Sequence, residues 1–156
     1  MAYRREQIAH PVNGFGFLVP RAEKIRTLGT VFNSSLFPGR APVGHVELTS
    51  FIGGATDLDA IQFSDAQLSR IAHNDNARLL GISGDPVAIH ITRWPRALPQ
   101  YNLGHAHLIE RVRTSLDATP CLFLTGNYLE GPAVGRCLEN AAHTATAVEG
   151  FLRAKN

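Results

Sequence analysis

Cysteine and tryptophan are scarce in this 156-residue sequence, which has two cysteines, Cys121 and Cys137, and one tryptophan. The cysteine spacing matches neither a zinc knuckle nor a redox Cys-x-x-Cys motif, which argues against a disulfide scaffold and a zinc module. We therefore predict two reduced, mostly buried thiols. The seven histidines have no carboxylate or cysteine ligand at helical spacing beside them, so no metal site is predicted.

Long apolar runs and strong net charge are also missing. No run approaches the roughly 20 residues that a membrane span needs, and the N-terminus has no signal-peptide core. The formal net charge is only +2 and the arginines are scattered, which argues against a nucleic-acid partner. The sequence contains no Walker loop and no Gly-x-Ser-x-Gly elbow. The composition predicts a soluble globular domain, and we predict a cytoplasmic location.

The hydrophobic pattern of the first half predicts strands. Alternating or short apolar runs, each closed by a turn signal, are found at residues 2–9, 14–20, 28–37, 45–52 and 87–92. The Gly-x-Gly in the second of these runs is followed by neither a third glycine nor a helix, so it fails as a dinucleotide fingerprint.

Helical patterns follow the strands. Ser64-x-x-Gln67 resembles a capping box and opens a helix that ends at Gly81. A shorter amphipathic helix is predicted around Leu108 to Leu116, and a third from Pro132 to Leu152. Strands first and helices afterwards predict an α+β fold with a mainly antiparallel sheet and a C-terminal strand–turn–helix.

Two stretches are candidates for chemistry. Leu122 to Leu124 reads as a buried strand that ends at a turn containing three glycines (126, 131 and 135). Such a turn lets a ligand approach the backbone, and the helix after it offers free N–H groups; an ordinary turn between strand and helix is the alternative. The loop from Trp94 to Tyr101 contains two prolines, so it either packs on the core or forms an aromatic wall beside a planar ligand.

Five motifs occur in the order of a known family: Gly14–Pro20, Ser34–Pro42, Phe51–Ala55, Trp94–His105 and Leu122–Cys137. Together they resemble the C-terminal third of FAD-dependent protoporphyrinogen oxidases, within the flavin amine oxidase superfamily. The resemblance covers nearly the whole chain. In that family the flavin accepts hydrogens from protoporphyrinogen and passes them to oxygen, giving protoporphyrin for haem synthesis.

The resemblance implies that two parts of the chain belong to different functional regions. Residues 1–120 would be part of a substrate-binding region, and residues 121–156 the last strand and helix of an FAD-binding domain, both folding as one compact unit. Trp94 would flank the isoalloxazine ring, and no catalytic residue is implied. The other implied FAD-binding residues are Gly126, Asn127, Gly131, Pro132, Ala133 and Val134. The implied border of the tetrapyrrole pocket consists of Leu36, Phe51 and Gly53.

One departure from the family is informative. The family begins with a strand and Gly-x-Gly-x-x-Gly that hold the ADP half of FAD, and this sequence has neither. We therefore expect a fragment: a truncated gene, an excised domain or one piece of a split enzyme. It should be inactive alone, bind FAD weakly, and either self-associate or meet a partner chain that carries the missing N-terminal part. The alternative is a non-enzymatic module that binds a tetrapyrrole or mediates dimerisation.

Overall fold

The structure is a computed structural model that describes residues 1–154. The chain is organised in two compact units, Met1–Pro95 and Arg96–Asn156. The two units are defined by which residues contact one another, and their boundary at Pro95 does not test the predicted functional division after Pro120. That division remains a prediction.

The first unit is built on a four-stranded antiparallel sheet. Its strands are β1 (Ala2–Arg4), β2 (Gly16–Leu18), β3 (Thr27–Phe32) and β4 (His45–Ile52), and their order is β1-β4-β3-β2. Every neighbouring pair is antiparallel. Two 3-10 turns, Arg5–Gln7 and Arg21–Glu23, flank β2, and a third covers Leu58–Gln62. The α+β class with a mainly antiparallel sheet is confirmed.

One long helix covers one face of this sheet. Helix α2 (Asp65–Leu80) begins at the predicted capping box, where the Ser64 amide donates to the Gln67 side chain at 2.8 Å and the Gln67 amide donates back to the Ser64 hydroxyl at 3.3 Å. It ends at Gly81, as predicted, and packs on β3 and β4. The apolar core consists of Tyr3, Ile8, Val12, Phe32, Val46, Leu48 and Leu80.

Part of the interface between α2 and the sheet is polar. Asn76 is fully buried; it accepts a hydrogen bond from the Thr30 hydroxyl at 2.9 Å and donates one to the Ser50 hydroxyl at 2.7 Å. The two hydroxyls also lie 2.9 Å apart. Because every member has partners, this buried network fixes the helix on the sheet instead of weakening the core.

The second unit is helical in its described residues. It contains α3 (His105–Asp117), the four-residue α4 (Asn127–Glu130) and α5 (Val134–Ala154). The ring of Phe123 meets the ring of Phe151 on α5 edge-on, with centroids 5.8 Å apart. The predicted C-terminal helix is present, although it begins two residues after Pro132.

Four predicted strands of the first unit differ from the structure. The strands predicted over 2–9 and 14–20 are reduced to β1 and β2, of three residues each. The strand predicted over 28–37 ends at Phe32, and the short helix α1 (Asn33–Leu36) follows. The Asn33 side chain donates hydrogen bonds to Glu47 and Thr49 on the neighbouring strand, which holds the start of α1 there. The strand predicted over 87–92 is reduced to a single bridge between Ala2 and Ala88, since β1 is only three residues long.

The strand predicted at Leu122–Leu124 is not a strand in the structure. A strand is stabilised by hydrogen bonds to a neighbour, and the described residues provide no neighbouring strand for this apolar segment. Its position also explains why Cys121 is exposed, whereas a buried thiol was predicted; Cys137 is half-buried, and both are free.

Candidate functional site

The glycine turn of the second unit requires glycine at both ends. Gly126 (φ 156°, ψ 168°) and Gly131 (φ 139°, ψ 151°) flank α4 in conformations that residues with side chains rarely adopt. A Cβ atom on Gly126 would also lie 2.5 Å from Cε1 of Tyr128. The turn is therefore set by backbone conformation that only this residue type tolerates.

The turn leads directly into the N-terminus of α5. The first helical bond there is donated by Cys137 to the carbonyl of Ala133 at 3.0 Å, and the N–H groups of residues 134–136 have no acceptor within residues 1–154. A Cβ atom at Gly135 would meet nothing within 4 Å, and one at Gly131 only Cγ of Arg136 at 3.9 Å. Unfilled space beside free N–H groups and a positive helix end fits an electron-rich ring or an anion that approaches the backbone.

The predicted flavin-binding residues fall in both units. Gly126, Asn127, Gly131, Pro132, Ala133 and Val134 form this one continuous turn, and Val134 is largely exposed. Trp94 belongs to the first unit, where it is exposed beside Arg93. Arg93 is itself held by Asp65 and by the carbonyl of Phe63, so the backbone before the tryptophan is anchored to the start of α2.

The second candidate surface is the sheet face opposite α2. Gly29 lies opposite Phe51 in the ladder between β3 and β4, and opposite Leu18 in the ladder between β2 and β3. Directly paired residues share a face, and that face is not the one where Thr30 and Ser50 meet α2. Leu18 is 88% exposed and Phe51 52% exposed. We call Leu18, Gly29, Val31 and Phe51 the open apolar face.

Gly29, at the centre of the open apolar face, has no side chain of its own, and the Leu18 side chain lies against it. A Cβ atom on Gly29 would lie 2.6 Å from the carbonyl oxygen of Phe17 and 2.9 Å from Cδ2 of Leu18. A larger residue would therefore push strand β2 away. The result is an exposed apolar surface in which Leu18 and Phe51 flank a residue without a side chain, which suits an apolar ligand.

The three predicted substrate residues occupy different environments. Phe51 is on the open apolar face, Gly53 is buried with its α-carbon facing Ala60, and Leu36 is half-buried at the end of α1. Sequence analysis missed the contribution of Leu18 and Gly29 to this face, because strand register brings them beside Phe51.

An ion pair orders the loop that follows Phe51. The Arg26 guanidinium binds both carboxylate oxygens of Asp57, at 2.6 and 2.7 Å, and lies over the ring of Phe63 at 4.4 Å. The hydrogen bonds from Arg26 hold the pKa of the Asp57 carboxyl below its ordinary value. The loop is thus tied to the start of β3 next to the open apolar face.

Residues 1–154 contain neither a membrane-spanning helix nor a metal-ligand cluster. None of the helices within residues 1–154 is both long and apolar enough to cross a bilayer. The same residues contain no group of three or more histidine, cysteine, aspartate or glutamate side chains that could hold a metal ion.

Comparison with known proteins relates this chain to one family. The family model described as flavin containing amine oxidoreductase matches residues 1–149. Protoporphyrinogen oxidase 1, chloroplastic, of Arabidopsis thaliana is 39% identical over 145 residues, which cover 90% of this chain and 27% of that protein. Coproporphyrinogen III oxidase of Bacillus subtilis (strain 168) is 29% identical over 127 residues, covering 81% of this chain and 27% of that protein.

A solved structure shares the fold. A crystal structure from Exiguobacterium sp. 255-15, provisionally described as a protoporphyrinogen oxidase, superimposes with a TM-score of 0.78 at 26% identity. It covers 98% of this chain, which corresponds to 33% of that protein. The chain thus spans about a quarter of the length of the curated relatives it matches. With a family model matched over residues 1–149, the chain belongs to the flavin containing amine oxidoreductases.

Proposed function

We propose that this chain supplies the tetrapyrrole-facing sheet and the flavin-facing turn of an FAD-dependent enzyme that oxidises protoporphyrinogen to protoporphyrin in haem biosynthesis. The observation that carries the proposal is the open apolar face, in a chain whose relatives are named protoporphyrinogen oxidase. Four chloroplastic relatives named protoporphyrinogen oxidase are 37–39% identical, against 29% and 32% for two relatives named coproporphyrinogen III oxidase, which favours protoporphyrinogen as substrate.

The open apolar face would bind one side of the macrocycle. A porphyrinogen is a broad, largely apolar ring system, and it loses contact with water when it lies on Phe51, Leu18 and Gly29. Leu36 and Gly53 would border this pocket, Leu36 through its side chain and Gly53 by allowing the loop to turn beside Phe51. The Arg26–Asp57 pair would keep that loop in one position.

The glycine turn would hold the isoalloxazine end of FAD through its backbone. Gly126, Asn127, Gly131, Pro132, Ala133 and Val134 would line the cofactor, with the free N–H groups of α5 directed at its electron-rich edge, and Trp94 would flank the ring. When bound, the flavin supplies the hydrogen-accepting chemistry. The residues of this chain bind and orient the two reactants, and none is assigned a proton-transfer step.

The rest of the enzyme would come from additional sequence. Residues 1–120 would belong to the substrate-binding region and residues 121–156 to the FAD-binding domain. We expect this chain alone to be inactive and to bind FAD weakly, because it has no Gly-x-Gly-x-x-Gly motif for the ADP half. The compartment, expected to be the cytoplasm, remains a prediction; the plant relatives are named chloroplastic or mitochondrial.

The surface around Leu122–Leu124 would receive the missing part, either a partner chain or a second copy. The backbone N–H groups of Phe123 and Leu124 have no backbone acceptor within residues 1–154. A cavity of about 530 Å³ next to them is lined by Leu116, Pro120 and Ala147, among others. Backbone N–H groups without a backbone acceptor beside an apolar cavity favour pairing with a strand of another chain.

A second candidate is a stand-alone module that binds a tetrapyrrole without flavin chemistry. It is favoured by the position of the open apolar face, which lies entirely within the first unit. Such a module would bind porphyrin equally well with or without FAD.

Visible absorption titrations separate these functions. The purified chain is titrated with FAD and, separately, with protoporphyrin; weak flavin uptake together with porphyrin binding is expected. Phe51→Ala should weaken porphyrin binding about tenfold, because it removes one aromatic wall. Phe15→Ala is the matched control, since Phe15 is also exposed but precedes β2 and alternates away from the open apolar face.

Each result has a clear meaning. Turnover of protoporphyrinogen by the chain alone, with tightly retained flavin, would contradict the expected inactivity. Porphyrin binding without any flavin uptake would favour the module. Equal losses in Phe51→Ala and Phe15→Ala would exclude the open apolar face as the binding surface.

A further inference from the structure

Tyr101 connects the loop after Trp94 to the glycine turn, within the second unit. Its hydroxyl donates a hydrogen bond to the carbonyl oxygen of Asn127, 26 residues further along the chain. Asn127 is the first residue of α4, and the last residue of that helix, Glu130, is bound by Arg113 of α3 at 2.9 Å. Both ends of α4 are therefore held from outside.

Both contacts are exposed, and they act on different parts of α4. The Arg113–Glu130 pair is well exposed on both sides, and exposed ion pairs contribute little. The Tyr101 bond acts on a backbone carbonyl of a four-residue helix, which is too short to be stable by itself. Tyr101 is therefore the main restraint from outside on the start of α4.

His105 holds the Tyr101 ring. The two rings meet edge-on with centroids 4.8 Å apart and an interplanar angle of 67°, and His105 is the first residue of α3. Its Nε2 atom is buried without a hydrogen-bond partner among residues 1–154. An unpaired buried nitrogen lowers stability, so the stabilising contact of the His105 side chain is its packing on the Tyr101 ring.

We propose that Tyr101 is a positioning residue for the turn that carries Gly126 and Gly131, with His105 fixing its ring. Glycines lose more backbone freedom on folding than other residues, so a turn flanked by two of them samples other conformations unless it is restrained. A single bond to Asn127 keeps the turn in the geometry that presents the backbone to a ligand, which lowers the cost of binding. The ligand role rests on the proposed function, whereas the restraint itself does not.

The test compares two identical deletions in the complete chain. Tyr101→Phe removes the hydroxyl that binds Asn127; Tyr128→Phe removes a hydroxyl of the same turn for which the described residues offer no partner. Hydrogen–deuterium exchange of the amides of residues 127–131 measures the restraint, and flavin fluorescence during FAD titration measures binding. In Tyr101→Phe we expect exchange and the FAD dissociation constant to rise about three- to tenfold. In Tyr128→Phe both should stay within about twofold.

The outcomes distinguish the restraint from the flavin role. Unchanged exchange in Tyr101→Phe, or equal changes in the two variants, would overturn the proposal. Faster exchange in Tyr101→Phe but not in Tyr128→Phe would support the restraint. If the wild-type chain at the same time takes up no FAD, the flavin site of the proposed function would be refuted. His105→Phe should keep exchange slow because it preserves the edge-on ring; faster exchange there would overturn the packing role of His105.

Discussion

Replacing Gly126 by alanine tests how strictly the turn depends on glycine. The residue has φ 156° and ψ 168°, a region used almost only by glycine, and forcing another residue into it costs on the order of 1–3 kcal/mol. The new Cβ atom would also lie 2.5 Å from the ring of Tyr128. Because that ring is 42% exposed, it can move outward, so the backbone term should dominate. We expect a loss of about 1–3 kcal/mol in the free energy of unfolding of the second unit.

Gly135→Ala is the matched control, because it makes the same chemical change nine residues later. Gly135 lies in the first turn of α5, and a Cβ atom there meets nothing within 4 Å. Alanine is the better helix former, so the change should stabilise by up to about 1 kcal/mol. The two alanines should therefore act in opposite directions.

Urea titrations followed by far-ultraviolet circular dichroism measure both variants. The helical signal comes from α3 and α5 of the second unit and from α2 of the first, so it measures the stability of both units together. Native-state hydrogen exchange of the α5 amides assigns the change to the second unit. The reasoning would be refuted if Gly126→Ala stayed within about 0.5 kcal/mol of the wild type, since the strained conformation would then not require glycine.

Two further predictions concern the first unit. Asn76→Ala should lower the free energy of unfolding by about 2–4 kcal/mol, because the Asn76 amide is fully buried between two hydroxyls. Alanine at the exposed Asn74 on the same helix is the control. An equal, small effect of both alanines in urea titrations would contradict the role of the network. For Asp57, whose pKa is lowered by Arg26, the stabilising contribution is present above the ordinary carboxyl pKa of about 4 and is lost as the pH falls through the lower value in the folded protein. Asp57→Asn should flatten this acid limb of the stability profile; an unchanged limb would mean that other carboxyls produce it.

Local sequence signals determined where two regular elements begin and end. Strand β4 occupies residues 45–52 as predicted, because its alternating pattern and the glycines after it act within a few residues. Helix α2 begins after Ser64 and ends at Gly81, since the capping box and the terminal glycine act within one helical turn. The ordered motifs along the chain also identified the family before any coordinates.

Contacts between distant residues decided what the sequence left open. The capping box and terminal glycine predicted helix α2 but did not predict that Asn76 would be buried, because its partners lie on two strands that only folding brings together. The segment at Leu122–Leu124 has a strand-like composition, yet no strand lies beside it in the described residues, and hydrogen bonds to a neighbour are what a strand needs. Composition can indicate that a segment is apolar, but only the tertiary structure supplies its partner.

The same reason applies to the two candidate surfaces. The glycine turn was evident from its sequence because its residues are consecutive. The open apolar face was not, since Leu18, Gly29 and Phe51 come from three strands and become neighbours only through the ladder register. Likewise, the bond from Tyr101 to Asn127 spans 26 residues and carries no local pattern. The sequence therefore determined the glycine turn, and tertiary pairing decided which side chains lie beside Phe51.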